Sequence, residues 1–273
     1  MVVITKPSTN NMKVERVLLV SDNNPMYYDF WNNLSYTYKE KFGISPTLIF
    51  FGSADELKRA NLSEKYGEIK LGQTVPNIPI WQYTWALFYN TKFYPNDTCA
   101  IMGIDQIPLG TYFLRDVIEN VEDDNYVMLI DDQYKYEGKW KTKWDEGGYS
   151  PSAYHIAKGK TFNDVFQFED TFEKEILKVK EANVPTMWGD GWGTDEAYSC
   201  RKLYEFPDRK RISDLSKCRD FLSHRIDCYR NLEPPYDINK LQNNFYIECH
   251  SCRPYSRHKN YLDNMFKNIP KFI

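Results

Sequence analysis

The strongest constraint on the fold is an alternation of apolar runs and helical patterns at the start of the chain. The run "VERVLLVSDNN" at 14–24 is rich in Val and Leu and ends in turn-forming residues, which is typical of a buried parallel strand. Apolar residues spaced by three and four predict a helix over 26–43, and "SPTLIFFG" at 45–52 predicts a second strand. A strand-helix-strand crossover is almost always right-handed and builds a parallel sheet.

The same alternation continues along the chain and predicts an α/β fold in a single domain, 1–273. Further strands are predicted at 68–72, 98–105, 126–132, 153–159 and 244–250. Further helices are predicted at 78–95, 111–121, 161–182 as one or two, 194–206 and 261–269. The tract 133–152 has no stable period, so we expect a loop over a site there.

Composition narrows the class of protein. The aromatic share of 16% is high and suits a site for sugars or bases, whereas the net charge of −3 gives no basic field and argues against nucleic acid as a partner. No apolar run approaches the roughly 20 residues that span a bilayer, and the N-terminus lacks a signal-peptide core, so we expect no membrane span and a cytoplasmic location. Six cysteines in 273 residues indicate reduced thiols rather than a disulfide scaffold.

A single carboxylate ends the apolar run "IMGIDQIPLG" at 101–110. Asp105 in this position suits a divalent cation, because Mg²⁺ and Mn²⁺ prefer oxygen ligands, but a strand-end aspartate can also cap the following turn. Asp131 and Asp132 also end a predicted strand and are rivals for the same role. In "HSCRPY", His250 is a potential metal ligand and Arg253 a potential phosphate ligand.

Two acids follow a glycine-rich turn in "WGDGWGTDEAY" at 188–198. Asp195 and Glu196 would be stabilised at a helix N-terminus, so simple capping is one interpretation. Trp188 and Trp192 favour another interpretation, because an exposed indole packs on a pyranose ring and a neighbouring carboxylate can bind or deprotonate a hydroxyl.

The C-terminal cysteines allow a different site. The pair in "CHSC" is half of a tetrahedral zinc set, and Cys218 and Cys228 could supply the other half, although their spacing of ten residues is unusual for zinc. The chain has no nucleophile elbow and no phosphate-binding loop of the NTPase type.

Taken in order, "SDNN", "IPIWQYTWALFY", "CAIMGIDQIPL", "WGDGWGTDE" and "HSCRPY" resemble the GT-A-fold glycosyltransferases, which use nucleotide-diphosphate sugars, over most of the chain. The resemblance implies a GT-A-like three-layer α/β/α sandwich with a mostly parallel mixed sheet. It also implies a nucleotide-sugar-binding half at 1–132. The half at 133–273 would bind the acceptor and include the C-terminal closing segment.

The resemblance also implies roles for individual residues. The D-x-D motif of this fold appears as Gly103-Ile104-Asp105, without its first acid. Asp105 and His250 would hold Mn²⁺ or Mg²⁺ and Arg253 would bind the diphosphate. The other residues implied at the nucleotide-sugar donor are Asp22, Tyr27 and Gln82.

The turn "GWGTDE" resembles the G-W-G-G-E-D motif of inverting galactosyltransferases, with its acids transposed. This implies acceptor packing by Trp188 and Trp192, and acceptor binding or proton abstraction by Asp195 and Glu196. "HSCRPY" resembles instead the ending of retaining enzymes, so inversion is favoured only by the acids. We therefore expect a metal-dependent glycosyltransferase that moves a sugar, with a UDP-sugar favoured, to a glycan or other hydroxyl acceptor. The alternatives are a sugar nucleotidyltransferase and a non-enzymatic zinc-bearing interaction protein.

Overall fold

The computed structural model describes residues 11–128, 153–184, 191, 193–214, 224–228 and 232–273. The strands in these ranges are β1 Arg16–Asp22, β2 Ser45–Phe51, β3 Glu68–Gly72, β4 Thr98–Ile101, β5 Gln106–Pro108, β6 Tyr126–Met128, β7 His155–Lys158, β8 Ile212–Asp214, β9 Arg225–Asp227 and β10 Glu248–His250. The helices are α1 Pro25–Tyr28, α2 Trp31–Tyr36, α3 Ala54–Ala60, α4 Trp81–Asn90, α5 Gly159–Phe166, α6 Phe172–Glu181, α7 Thr194–Glu205, α8 Ile238–Gln242 and α9 Lys259–Asn268.

Seven of these strands form one sheet in the order β3-β2-β1-β4-β7-β6-β8. The pairs β1/β2, β1/β4, β2/β3 and β6/β8 are parallel, whereas β7 runs antiparallel to both of its neighbours. The predicted mostly parallel mixed sheet is therefore confirmed. A second, small sheet has the order β5-β10-β9.

The apolar run of β1 is buried on both sides of the sheet. Val17 and Leu19 belong to one hydrophobic cluster, which α2 and α9 complete, while Leu18 and Val20 belong to another, which α4 to α7 complete. Side chains alternate across a strand, so an uninterrupted apolar strand must be covered on both faces. The predicted three-layer α/β/α arrangement is confirmed. No helix in the described ranges has the length and apolar character needed to cross a membrane.

Several element boundaries differ from the sequence-based expectation. The strand expected at 98–105 ends at Ile101, and residues 102–105 form a turn. The Gln106 side chain accepts the Gly103 N–H at 2.6 Å, and this bond takes the place of strand pairing. The tract 133–152 and the rival acids Asp131 and Asp132 lie outside the described residues.

The helix expected at 26–43 forms in pieces. α1 begins at Pro25, where the Asn24 side chain accepts the Met26 N–H, and the last piece is a wider π-helical turn over Thr37–Phe42. Gly43 ends it with φ +71°, a conformation that costs little without a Cβ. Another π-helical turn, Tyr112–Asp116, replaces most of the helix expected at 111–121.

A buried carboxylate joins α4 to α6. Glu175 on α6 is 0% exposed and accepts a hydrogen bond from Trp85 Nε1 on α4 at 3.0 Å. It also accepts the Glu169 N–H at 2.9 Å and lies 2.7 Å from the Lys178 ammonium. These bonds satisfy a charge that would otherwise be costly to bury. They also fix α4, whose first turn reaches the site described below.

Candidate functional site

The described residues enclose a cleft of about 350 Å³ at the carboxyl edge of the main sheet. Six separate parts of the chain border it, through Asp22, Trp81, Asp105, Ala153, Asp195 and Arg253. Ligands of open α/β sheets bind beyond the carboxyl ends of the strands, where β1 and β4 end in this protein. The cleft is therefore the candidate functional site.

The small sheet brings Asp105 and His250 together. β10 pairs antiparallel with β5, with His250 opposite Gln106, and the Ser251 N–H donates to the Asp105 carbonyl at 2.8 Å. The Nε2 atom of His250 then lies 3.5 Å from Asp105 Oδ2. On the other side, β9 places Asp227 Oδ1 3.8 Å from Nδ1 of the same imidazole. The two predicted metal ligands are thus neighbours because of strand register.

Arg253 follows three residues after the end of β10 and reaches the same carboxylate. Its Nη1 atom lies 3.2 Å from Asp105 Oδ2 and donates to the Tyr27 hydroxyl at 3.0 Å. The guanidinium carbon also lies 5.4 Å from the centre of the Tyr27 ring, within the range of a cation–π contact. The side chain remains 32% exposed.

Two opposing effects act on the pKa of Asp105. Burial raises it, but the hydrogen bond and charge of His250 and the charge of Arg253 lower it more, so the pKa lies below its ordinary value. The carboxylate is therefore ionised at neutral pH.

Asp22 and Tyr27, the residues expected at the donor, both line the cleft. Asp22 is the last residue of β1, and its Oδ1 accepts the Asn24 N–H at 3.1 Å, which shapes the turn into α1. Gln82 is different. It is 2% exposed, and its amide accepts the Val75 N–H at 2.8 Å and donates to the Ile78 carbonyl at 2.8 Å. Its position supports a role in holding the preceding loop on α4 rather than a donor contact.

The two predicted acceptor acids open α7 and line the cleft. Asp195 is 3% exposed and Glu196 is half-buried. Gly191 and Gly193 have φ +77° and +81°, so the turn before α7 uses a backbone conformation that favours glycine. Thr194 does not cap the helix, because its hydroxyl donates to the Gly191 carbonyl at 2.6 Å. Trp188 and Trp192 lie outside the described residues.

Sequence reasoning missed one wall of the cleft. Trp81, Tyr83 and Thr84 line it from the first turn of α4. The apolar spacing predicts a helix over 78–95 without indicating which side chains face the site, yet a helix that starts at a sheet edge exposes its first turn to the site. An indole and a phenol clustered there are the signal that could have identified this wall.

The side chains at the expected metal position fit a divalent cation poorly. Within the ranges that the structure describes, no group of three His, Cys, Asp or Glu side chains is placed to hold a metal ion. Gly103 stands where the resemblance implies a second acid, and Oδ2 of Asp105 already faces both His250 and Arg253.

The described residues also offer no group of three ligands for the zinc site considered as an alternative. Cys228 and Cys249 are buried with sulfurs 3.9 Å apart, and Cys218 lies outside the described residues.

No family model and no curated protein sequence matches the chain, but solved structures do. The crystal structure of the galactosyltransferase LgtC with donor and acceptor sugar analogues is similar, with a TM-score of 0.52 and 12% identity over 94% of this chain and 97% of that one. An active-site mutant of LgtC gives 0.51 and 12% identity over 91% of this chain and 95% of that one. This chain therefore has the α/β fold of these glycosyltransferases, as the sequence resemblance implied.

Proposed function

We propose that this protein is a glycosyltransferase that moves a sugar from a nucleotide-diphosphate donor, with a UDP-sugar as first candidate, to the hydroxyl of a glycan or another acceptor. One observation carries the proposal: a single cleft at the carboxyl edge of the sheet is lined by Asp105, His250, Arg253, Asp195 and Glu196. The fold that the chain shares with LgtC supports the same chemistry, because that protein was crystallised with donor and acceptor sugar analogues.

Each group has a role that follows from its charge and exposure. The diphosphate carries the negative charge that grows as the bond to the sugar breaks, and the Arg253 guanidinium is placed to stabilise it. Asp105 and Tyr27 orient that guanidinium. Glu196 is the proposed base, because it is half-buried and can meet an acceptor hydroxyl, whereas Asp195 is buried and suits acceptor binding. A positioned base corresponds to the inverting course.

The Mn²⁺ or Mg²⁺ requirement predicted from the sequence is not tested by the fold. Asp105 and His250 are the described side chains that would hold such an ion, and their surroundings fit it poorly. The steps proposed above therefore rely on side chains alone. The division into a donor half at 1–132 and an acceptor half at 133–273 also stays a prediction.

The test is nucleoside diphosphate release from a panel of UDP- and GDP-sugars, with and without a sugar acceptor. We expect release from at least one donor, and Glu196→Gln should lower the transfer rate by about 10²-fold or more, the usual contribution of a general base. Glu119→Gln removes an exposed carboxylate outside the cleft and should leave the rate unchanged. Absence of binding and turnover with every donor would refute the proposal.

The configuration of the product separates the two stereochemical courses. NMR of the new glycosidic bond should show inversion if Glu196 removes the acceptor proton. Retained configuration would contradict the role of Glu196 as base while leaving the transferase proposal in place.

A further inference from the structure

We propose that Arg253 takes the place of the divalent cation in this cleft, so that the protein binds nucleoside diphosphates without added metal. The inference rests on the proposed function and specifies how the donor is held. It departs from the metal dependence that the sequence resemblance implies.

The turn at Gly103 is filled by the side chain of Gln106. The Gly103 N–H donates to Gln106 Oε1 at 2.6 Å, and Gln106 Nε2 donates in turn to the Tyr154 hydroxyl at 3.3 Å. A Cβ at position 103 would lie 2.9 Å from Gln106 Oε1 and 3.1 Å from Asp105 Oδ1. The amide of Gln106 thus lies where a side chain at position 103 would begin. The turn is built without a second carboxylate, and a carboxylate is the ligand type that Mg²⁺ and Mn²⁺ favour.

The Asp105 carboxylate already lies next to two basic side chains. Oδ2 of Asp105 lies 3.2 Å from the Arg253 guanidinium and 3.5 Å from the His250 imidazole. An incoming cation would have to share this oxygen with the fixed positive charge of Arg253, whose Nη1 lies 3.2 Å from it, and two positive charges on one carboxylate oxygen repel each other in a partly buried site. Asp105 is only 13% exposed, so solvent screens this repulsion weakly.

The charged side chains that line the cleft are mostly acidic. Its described lining includes four carboxylates, those of Asp22, Asp105, Asp195 and Glu196, and Arg253 is the only lysine or arginine in that lining. A diphosphate requires a positive partner in such surroundings, and a guanidinium provides a planar fork that matches phosphate oxygens. Arg253 is held from two sides, by Asp105 and Tyr27, while 32% of it stays exposed. It is therefore oriented before a ligand arrives, which lowers the entropic cost of binding.

The experiment is calorimetric titration of the full chain with UDP, GDP, ADP and CDP, in EDTA and in Mn²⁺. We expect at least one nucleoside diphosphate to bind with a Kd that differs by less than about threefold between the two conditions. Arg253→Gln should raise this Kd at least tenfold in EDTA, equivalent to about 1.4 kcal/mol. Arg253→Lys keeps the charge without the fork and should give an intermediate Kd. Arg257→Gln removes an exposed arginine outside the cleft and should have no effect.

The possible failures are distinguishable. Binding that appears only with Mn²⁺, or that is unchanged by Arg253→Gln in EDTA, would overturn the inference and leave the proposed function intact. Absence of nucleoside diphosphate binding under both conditions would overturn the proposed function as well. Circular dichroism of each variant checks that it is folded, and the Arg253→Lys result applies if Arg253→Gln does not fold.

Discussion

Glu175 offers a quantitative test of how the cleft wall is fixed. This buried carboxylate accepts the Trp85 indole N–H at 3.0 Å and the Glu169 backbone N–H at 2.9 Å. Glu175→Ala would leave both donors without an acceptor in the core between α4 and α6. Hydrogen bonds to a charged group contribute about 1.5–3 kcal/mol each, so we expect the loss of two to lower the free energy of unfolding by about 3–6 kcal/mol.

The carboxamide variant separates the effect of charge from that of the acceptor. Glu175→Gln keeps one oxygen for one of the two donors, so it should cost about half as much as the alanine variant. Either substitution of Glu175 affects the Lys178 ammonium less than the two N–H donors, because Lys178 also donates a hydrogen bond to the Gln167 carbonyl at 2.7 Å.

Urea unfolding followed by circular dichroism measures these differences. Glu173→Ala is the matched control, since Glu173 is an exposed residue of the same helix and its loss should change stability by about 0.5 kcal/mol or less. If the free energy of unfolding of Glu175→Ala lies within about 1 kcal/mol of that of the unmodified chain, the buried carboxylate does not stabilise the packing of α4 on α6, and the prediction is wrong.

Two further predictions concern residues around the cleft. Tyr27→Phe removes the hydroxyl that accepts from Arg253 at 3.0 Å and loosens the guanidinium that stabilises the diphosphate. The kcat/KM for the donor should therefore fall about three- to tenfold, given about 1 kcal/mol for such a bond. Steady-state kinetics measures this, and an unchanged kcat/KM would contradict it. Gly191→Ala forces φ +77° on a residue with a Cβ and places that Cβ 3.2 Å from Trp81 Cδ1. The free energy of unfolding should therefore fall by about 1–2 kcal/mol, which thermal unfolding measures. An unchanged Tm would contradict this prediction.

The main sheet could be predicted from sequence because its strands carry their own pattern. β1 and β2 are continuous apolar runs, and such runs are compatible with few arrangements other than burial on both faces. The π-helical turn at Thr37–Phe42 could not be predicted in this way, because its apolar spacing is also that of an ordinary helix.

The arrangement of the candidate site could not be predicted from the sequence in the same way. Asp105, His250 and Arg253 were singled out by residue type, yet their contacts depend on β5 and β10, three-residue strands whose pairing has no local signature. Gln82 was placed at the donor by resemblance, although a helix-start glutamine beside a loop can also satisfy backbone groups, as it does in this structure. The orientation of a side chain within a helix depends on tertiary contacts that spacing alone does not encode.

The small sheet also ties the integrity of the site to the integrity of the fold. Arg253 and Tyr27 are 226 residues apart in sequence, and the pairing that brings residues 248–253 to the cleft comprises three residues on each side of β10. Ile107 of β5 and Cys249 of β10 are buried in the same hydrophobic cluster as Val17 and Leu19 of β1. Detachment of β10 would therefore expose part of the main core as well as remove His250 and Arg253 from Asp105. We expect nucleotide binding and the main sheet to be lost over the same range of denaturant concentration.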